Sequence, residues 1–404
     1  LMAMIQAIGF TLGMGSGNFV ARLLGQREQE RAEQVAATGF YTAVGFGLLL
    51  AIFGTIFIDP LVRALGATET IYPYARDYTQ YILLGAPYMA GSFVLNVQLR
   101  SQGSAFFSMI GIATGGVLNI LLDPLFIFVF DMGTGGAALA TILSQLVSFC
   151  ILYYFSMGRN GNIGIKLRNV RMEWSILSEI LRVGFPSLCR QGLASLAMVF
   201  LNRSAFPFGD AAIAAMSIVN RIMMLMSSLL IGFGQGFQPV CGFNYGAKRY
   251  DRVLQGFGFC VKVALAFTIT VSTLMFLIAP QVIMQFRRED LAVIAIGTLA
   301  LRLQCGALPL QAWNVCCNML AQCTAQSGRA TLMAMGRQGM FFLPAIVILP
   351  PLLGILGIQL AQPIADLLTF VLSIWLGGGL VRRYAALARE QRAEAEGAAA
   401  PAEV

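Results

Sequence analysis

An amide, a carboxylate and a proline stand close together in one strongly apolar stretch, Asn119-Ile-Leu-Leu-Asp123-Pro124. Residues four apart lie on the same side of a helix, so Asn119 and Asp123 share a face. Pro124 has no amide hydrogen and leaves the carbonyl of Ile120 without its helical partner. These oxygens suit a proton or a small hard cation such as Na⁺. The motif predicts a cation site, and the alternative is a cap or turn at a helix end.

A second carboxylate, Asp366, lies in the apolar stretch Gln362-Pro363-Ile-Ala-Asp366. An ionisable group inside the hydrocarbon layer costs about 2.5–3.5 kcal/mol on insertion scales, so each one is a candidate functional group. Pro363 frees the carbonyl of Gln359, as Pro124 does for Ile120. Asp366 is therefore either a second polar site or a polar contact that seals its helix against its neighbours.

Gln235, Gln238 and Pro239 interrupt a later apolar stretch. Pro239 frees the carbonyl of Gln235, which predicts a bend that lines a cavity. Several methionines, Met223 among them, crowd the same stretch. Flexible thioethers suit pockets that take varied apolar ligands, although filling gaps between helices is their commoner role.

Five basic residues also fall inside apolar stretches. The long side chains of Lys and Arg usually reach back to the membrane surface, and we expect this snorkelling here. The five are Arg190, Arg221, Lys262, Arg302 and Arg337.

The elements that carry these residues follow from composition. Of 404 residues, 57% are hydrophobic and only 11% are charged, against about 25% charged in soluble proteins. This excludes a soluble enzyme, a nucleic-acid-binding domain and a disordered scaffold, and it predicts an all-α polytopic membrane protein. The chain contains no histidine, which excludes histidine-based catalysis and histidine metal sites. We expect no metal beyond a Na⁺ at Asp123.

Eleven stretches are long and apolar enough to span a membrane, which takes about 20 residues. Loops on one side hold seventeen Lys and Arg residues and loops on the other hold five, which places the tail and the long 158–182 loop in the cytoplasm. An odd number puts residue 1 outside, so we expect that a preceding helix is missing. The stretches are 1–24, 36–58, 78–99, 105–130, 135–157, 182–204, 211–242, 254–280, 294–321, 329–353 and 356–381.

An internal repeat recurs at a spacing of about 221 residues. It predicts two six-helix lobes related by a pseudo-twofold axis along the membrane normal, as in transporters with a midplane site. The lobes are expected at 1–157 and 182–383, with a cytoplasmic linker at 158–181 and a cytoplasmic tail at 384–404. The matched pairs are Gly85 with Gly306, Gly133 with Gly354, Gly136 with Gly357, Gly25 with Gly246 and, after a two-residue gap, Gly15 with Gly234.

Three stretches resemble the multidrug and toxic compound extrusion (MATE) family, in particular its bacterial branch of MepA-like exporters. They are residues 119–133, 136–141 and 235–247. The resemblance implies a twelve-helix fold, with two lobes around a V-shaped cleft. It also implies a cation site formed by Asn119, Asp123, Thr141 and a backbone carbonyl near Ala137, together with an aspartate on a first helix that this sequence lacks.

The resulting expectation is a secondary active antiporter, not an enzyme, which exports amphipathic cations in exchange for H⁺ or Na⁺ by alternating access. Its partners are small-molecule drugs or toxic compounds and membrane lipids, with no nucleic acid and no cofactor besides the coupling ion. We expect a monomer in a bacterial plasma membrane. The alternatives are a lipid-linked oligosaccharide flippase of the same broader superfamily and a non-transport receptor or scaffold.

Overall fold

A computed structural model describes residues 1–66, 68–157, 163–287 and 290–399, with side chains as far as residue 394. This part of the chain is helical and contains no strand. Its α-helices are α1 Met2–Gly25, α2 Gln29–Ile56, α3 Ile58–Ala64, α4 Tyr72–Ser101, α5 Ala105–Pro124, α6 Gly133–Met157, α7 Trp174–Ala205, α8 Asp210–Gly246, α9 Tyr250–Phe286, α10 Leu291–Cys323, α11 Ser327–Met335, α12 Phe342–Leu353 and α13 Ile355–Ala399.

Nine helical segments in the described residues are long and apolar enough to cross a membrane. Two of them join shorter pieces, so that 105–129 and 327–353 each count as one span. The predicted spans at 1–24 and 182–204 correspond to α1 and α7, which are long helices but are not among the nine. Small and polar residues lower the mean hydropathy of α1, and several charged residues lower that of α7. The protein is a polytopic all-α membrane protein.

Two spans contain a turn of π-helix. Leu125–Val129 follows Pro124 directly, and Gly336–Met340 separates α11 from α12. Such wider turns often mark functional positions within helices. By contrast, α8 runs through Pro239 as one continuous helix, and the bend predicted there stays a prediction.

The first compact unit comprises residues 1–188. Its central helix is α4, which packs against α1, α2, α5 and α6. Gln98 is fully buried on α4, and its Nε2 donates to Ser16 Oγ at 3.0 Å and to the carbonyl of Ala36 at 2.9 Å. A buried amide needs such partners, and these two bonds link α4 to α1 and α2.

The second unit comprises residues 189–404. Here α10 is central and packs against α8, α9, α11 and α13. Asn318 and Gln322 on α10 belong to a buried chain of hydrogen bonds that reaches Gln238 on α8. The order of packing around α10 repeats the order around α4.

Matching turns support the predicted 221-residue repeat. Arg27 after α1 and Lys248 after α8 both have positive φ, 65° and 57°. Gly133 and Gly354 also match, with φ of 54° and 62°, at the starts of α6 and α13. Glycine adopts this left-handed backbone without strain, whereas arginine and lysine do so rarely. The two units therefore share unusual backbone turns as well as helix order.

The two-residue gap in the predicted alignment is wrong. Gly13 packs on α4 in the way that Gly234 packs on α10, so a constant spacing of 221 pairs these two glycines. Gly15 instead lies against the backbone of α7 at Ile180. The neighbouring side chains include Val97 for Gly13 and Val315 and Met319 for Gly234.

Two predicted boundaries differ from those of the helices. The linker predicted at 158–181 is already helical from Trp174, and the division between the two units falls inside α7, after Leu188. The tail predicted from 384 continues α13 as far as Ala399. Charged residues depress the apolar signal at both ends, yet helix geometry does not require an apolar sequence once a helix leaves the hydrocarbon layer.

Candidate cation site and a buried ion pair

Asp123 is a half-buried carboxylate in the last turn of α5. Asn119 Nδ2 donates a hydrogen bond to its Oδ1 at 3.3 Å, as the four-residue spacing predicts. Asp123 also interacts electrostatically with Tyr78 on α4, a neighbour that the sequence did not indicate. The contacts of this carboxylate are therefore with neutral side chains.

The chain leaves Asp123 through irregular backbone. The Leu125 amide donates to the carbonyl of Leu122, and the Phe130 amide donates to that of Leu125 at 3.1 Å. The first turn of α6 lies close against this segment, because a Cβ added at Gly136 would stand 2.8 Å from the Phe126 carbonyl oxygen. Proline and the π-turn thus place carbonyl groups with altered pairing directly after the carboxylate.

Thr141 and Ala137 lie on α6, which packs against α5. Thr141 Oγ1 donates to the Ala137 carbonyl at 2.9 Å. This carbonyl is the one that the family resemblance assigns to the site, and here it already accepts a bond from the threonine. Within the described residues no hydrogen bond joins this pair to Asn119 or Asp123.

Asp366 has entirely different surroundings. It is only 1% exposed on α13, and Arg337 in the second π-turn contacts its Oδ1 through Nε at 2.8 Å. Gln362 also donates to Oδ1, at 3.1 Å, and Gln311 on α10 donates to Oδ2 at 2.9 Å. The carboxylate is neutralised by a guanidinium and held by two amides.

Further polar groups extend this cluster. Ser227 on α8 donates to Gln311 Oε1 at 3.2 Å. Asn314 Nδ2 lies 3.4 Å from the backbone carbonyl of Asp366, and Ser373 donates to Asn314 Oδ1 at 2.6 Å. The cluster connects four elements of the second unit: α8, α10, α13 and the π-turn.

Snorkelling is wrong for Arg337, which pairs with a buried acid instead. Sequence reasoning missed the pair because the partners are 29 residues apart on different segments, where no helical spacing relates them. Two intramembrane charges of opposite sign in one unit are the only sequence signal for such a pair. Asp366 fits the sealing role better than a site with open ligand positions.

The remaining candidates lie in packed surroundings. Gln238 is 3% exposed and donates to Gln322 Oε1 at 3.0 Å. Met223 is 5% exposed within the hydrophobic core of the second unit, where it fills space between helices. Gln235 and Pro239 are half-buried on α8.

Comparison with known proteins agrees with this architecture. The MatE family model matches residues 1–125 and 186–348, well over half of the chain. The chain belongs to the MatE family. This MatE chain is 28% identical over 370 residues to the multidrug export protein MepA of Staphylococcus aureus strain NCTC 8325, covering 91% of this chain and 80% of that protein. It is 25% identical over 376 residues to MepA of Staphylococcus haemolyticus, covering 93% and 82%.

Solved MatE structures share the fold. A crystal structure of MATE in complex with MaL6 matches with a TM-score of 0.90 and 28% identity, over 96% of this chain and 87% of that one. A transporter of the MOP superfamily from Pyrococcus furiosus matches with a TM-score of 0.88 and 28% identity, over 96% and 86%. The latter is described as having a binding pocket of reverse polarity that suggests a different function.

Proposed function

We propose that this MatE transporter is a cation-coupled multidrug exporter, which moves amphipathic cations out of the cell in exchange for H⁺ or Na⁺. The related MepA proteins are named for multidrug export, and the fold is shared with MATE structures. The alternating-access cycle, the monomeric state and the cytoplasmic C-terminus remain predictions. Small-molecule drugs are the substrates that this proposal implies.

The contrast between the two intramembrane carboxylates supports Asp123 as the coupling group. Among the described residues Asp123 forms no ion pair, whereas Asp366 is paired with Arg337. Because Arg337 already supplies a positive charge beside Asp366, a further cation gains little by binding there. Asp123 has only neutral partners, so a cation that arrives there supplies the missing positive charge.

Ion binding and transport are coupled through the conformational equilibrium of the protein. A cation bound at Asp123 stabilises one helix arrangement relative to the empty site. By linkage, a drug that prefers the other arrangement and the cation weaken each other's binding by the same factor.

The test is dye efflux from proteoliposomes that contain the protein. A cationic rhodamine methyl ester is loaded, and an inward pH gradient or an inward Na⁺ gradient is then imposed. We expect one gradient to drive efflux and Asp123→Asn to abolish it, because the neutral amide binds neither ion. Purified Asp123→Asn protein should keep the wild-type elution profile and melting temperature.

Asp131→Asn is the matched control for this substitution. Asp131 is exposed and has a φ of 52°, a conformation that asparagine accepts readily. The same chemical change eight residues away should leave efflux at the wild-type rate. Driven efflux by folded Asp123→Asn protein would contradict the coupling role. Folded wild-type protein that responds to neither gradient would contradict export and favour a lipid-linked substrate.

A further inference from the structure

An exposed stripe of residues runs along the first part of α9 and contains two positive charges. Arg252, Gln255, Phe259 and Lys262 follow one another at intervals of three or four residues and are all exposed, so they share one face of the helix. We propose that this stripe binds an anionic phospholipid, with Lys262 on the lipid phosphate and Arg252 as a second positive charge. The inference goes beyond the proposed export cycle and does not depend on it.

The depth of Lys262 in its helix sets the first condition. The helix α9 comprises Tyr250–Phe286, which is about 55 Å long at 1.5 Å per residue, against a hydrocarbon core of about 30 Å. A core centred on α9 covers about 20 residues, 258–278, so Lys262 lies about 6 Å inside it. Among the described residues no group forms a hydrogen bond or an ion pair with Lys262. Its charge therefore needs a partner from outside the protein.

Gly258 leaves a path from Lys262 to the membrane surface. Side chains in a helix lean towards its N-terminus, so the Lys262 side chain lies over the turn that contains Gly258 and Phe259. No atom lies within 4 Å of a Cβ added at Gly258. The flexible four-carbon stem of lysine can follow such an apolar surface while the ammonium reaches the level of the lipid phosphates.

Beyond Lys262 the same side of α9 is apolar. The helix packs against α8, α10 and α13 through its other sides. Ile269, Leu274 and Leu277 are exposed, and an exposed apolar surface on a membrane-spanning segment contacts lipid chains. A positive charge near one end of an apolar surface matches a phospholipid, because the charged phosphate of the lipid adjoins its acyl chains.

The first unit contains the corresponding stripe on α2, and there protein covers it. Thr38, the counterpart of Phe259, is fully buried, and its hydroxyl group donates to the carbonyl of Arg171 and accepts from the Arg171 amide. Phe259 is 67% exposed instead. The second unit thus exposes a position that the segment around Arg171 covers in the first, and it adds a lysine nearby. At the 221-residue spacing the pairs are Arg31 with Arg252, Gln34 with Gln255, Thr38 with Phe259 and Tyr41 with Lys262.

Charge complementarity favours an anionic headgroup over a zwitterionic one. Lys262 and Arg252 form no ion pair within the part of the chain that the structure describes, although Asp251 precedes Arg252 in the sequence. Gln255 lies nearly in line with Lys262, two turns nearer the start of α9, where an amide can bind the hydroxyl groups of a glycerol headgroup. The predicted orientation places this end of α9 in the cytoplasmic leaflet, whose anionic lipids attract basic residues.

Native mass spectrometry of the purified full chain in detergent tests this site. The protein is titrated with phosphatidylglycerol and, separately, with phosphatidylcholine of the same acyl chains. We expect the wild type to bind phosphatidylglycerol more tightly, and Lys262→Gln to weaken binding of the first phosphatidylglycerol molecule about fivefold. Binding of phosphatidylcholine should not change, which shows that the variant is folded. Lys262→Arg keeps the charge and should bind phosphatidylglycerol as the wild type does.

Lys166→Gln is the matched control for the loss of one charge. Lys166 is exposed and lies outside the membrane-spanning segments, so this variant should bind phosphatidylglycerol with wild-type affinity. Equal losses of affinity in Lys166→Gln and Lys262→Gln would assign the effect to net charge and overturn the inference. Wild-type affinity in Lys262→Gln, or equal affinity of the wild type for the two lipids, would also overturn it.

Two further measurements complete the test. Arg252→Gln changes the second charge near the start of α9, outside the hydrocarbon layer, and should weaken phosphatidylglycerol binding by a smaller factor than Lys262→Gln. An unchanged affinity in Arg252→Gln would overturn its part in the site. Millimolar inorganic phosphate should leave phosphatidylglycerol bound to the wild type, because the acyl chains contribute to lipid binding. Displacement of the lipid would assign the site to a free anion and overturn the inference.

Discussion

At the residue scale, two intramembrane aspartates have opposite surroundings, and this predicts opposite responses to truncation. Asp366→Ala leaves the Arg337 guanidinium and two amide donors without their acceptor. We expect a loss of stability near the lower end of the about 3–5 kcal/mol found when a buried pair is broken, because Arg337 keeps some access to water. Thermal unfolding of the purified protein measures this loss.

Two comparisons test the cause of that loss. Asp123→Ala removes a carboxylate that has no basic partner in the described residues, so its effect on the melting temperature should be much smaller. Combining Asp366→Leu with Arg337→Met replaces the pair by apolar groups and should recover most of the stability. If Asp366→Ala melts like the wild type, the ion pair does not stabilise the second unit.

The sequence predicted the contacts of the candidate site within one helix, but it did not predict those between segments that are distant in the chain. The Asn119–Asp123 contact follows from helical spacing and is present at 3.3 Å. Tyr78 and Arg337 were not identified as partners, since each reaches its aspartate from another segment. The helix α8 continues through Pro239, and the bend inferred there stays a prediction. Local patterns fix local contacts, and contacts between helices depend on tertiary packing.

At the element scale, α1 and α7 cross at unusually close range. A Cβ added at Gly184 on α7 overlaps the Thr11 carbonyl oxygen, and one added at Gly15 on α1 overlaps that of Ile180. Small residues at such crossings let helix backbones approach closely within membranes. Arg22 on α1 reinforces the crossing through its ion pair with Glu179 at 2.9 Å.

This crossing predicts a position-specific effect of a single methyl group. Gly184→Ala forces the two backbones apart, and we expect a destabilisation of about 1–3 kcal/mol from overpacking. Gly192→Ala on the same helix is the matched control, since no atom lies within 4 Å of a Cβ there. The control should gain helix propensity and lose no stability. Equal melting temperatures for the two variants would show that the crossing yields easily.

Helix positions were predicted well because hydropathy and length determine them. The 221-residue spacing of the repeat followed from the sequence, and only the pairing of Gly234 with Gly13 required the packing of the helices. The left-handed backbone at Arg27 and Lys248 had no local sequence signal, since neither residue type favours it. Both π-turns were likewise absent from the predictions. Periodicity identifies helices, whereas irregular turns depend on contacts with neighbouring helices.

At the scale of the whole molecule, the distribution of positive charge predicts the orientation in the membrane. Seventeen Lys and Arg residues flank one set of helix ends and five flank the other, and the richer side is retained in the cytoplasm. The C-terminal extension of α13 lies on the richer side. The turn at Gly209 between α7 and α8 lies on the opposite side.

Reporter fusions in a bacterial host test this orientation. Alkaline phosphatase needs disulfides that form only outside the cytoplasm, so a fusion truncated after Gly209 should be active and a fusion after Val404 inactive. A green fluorescent protein after Val404 should fluoresce, which shows that the full chain is made and inserted. An active phosphatase at Val404 would reverse the orientation. The coupling ion would then enter the protein towards Asp123 from the opposite face to the one proposed here.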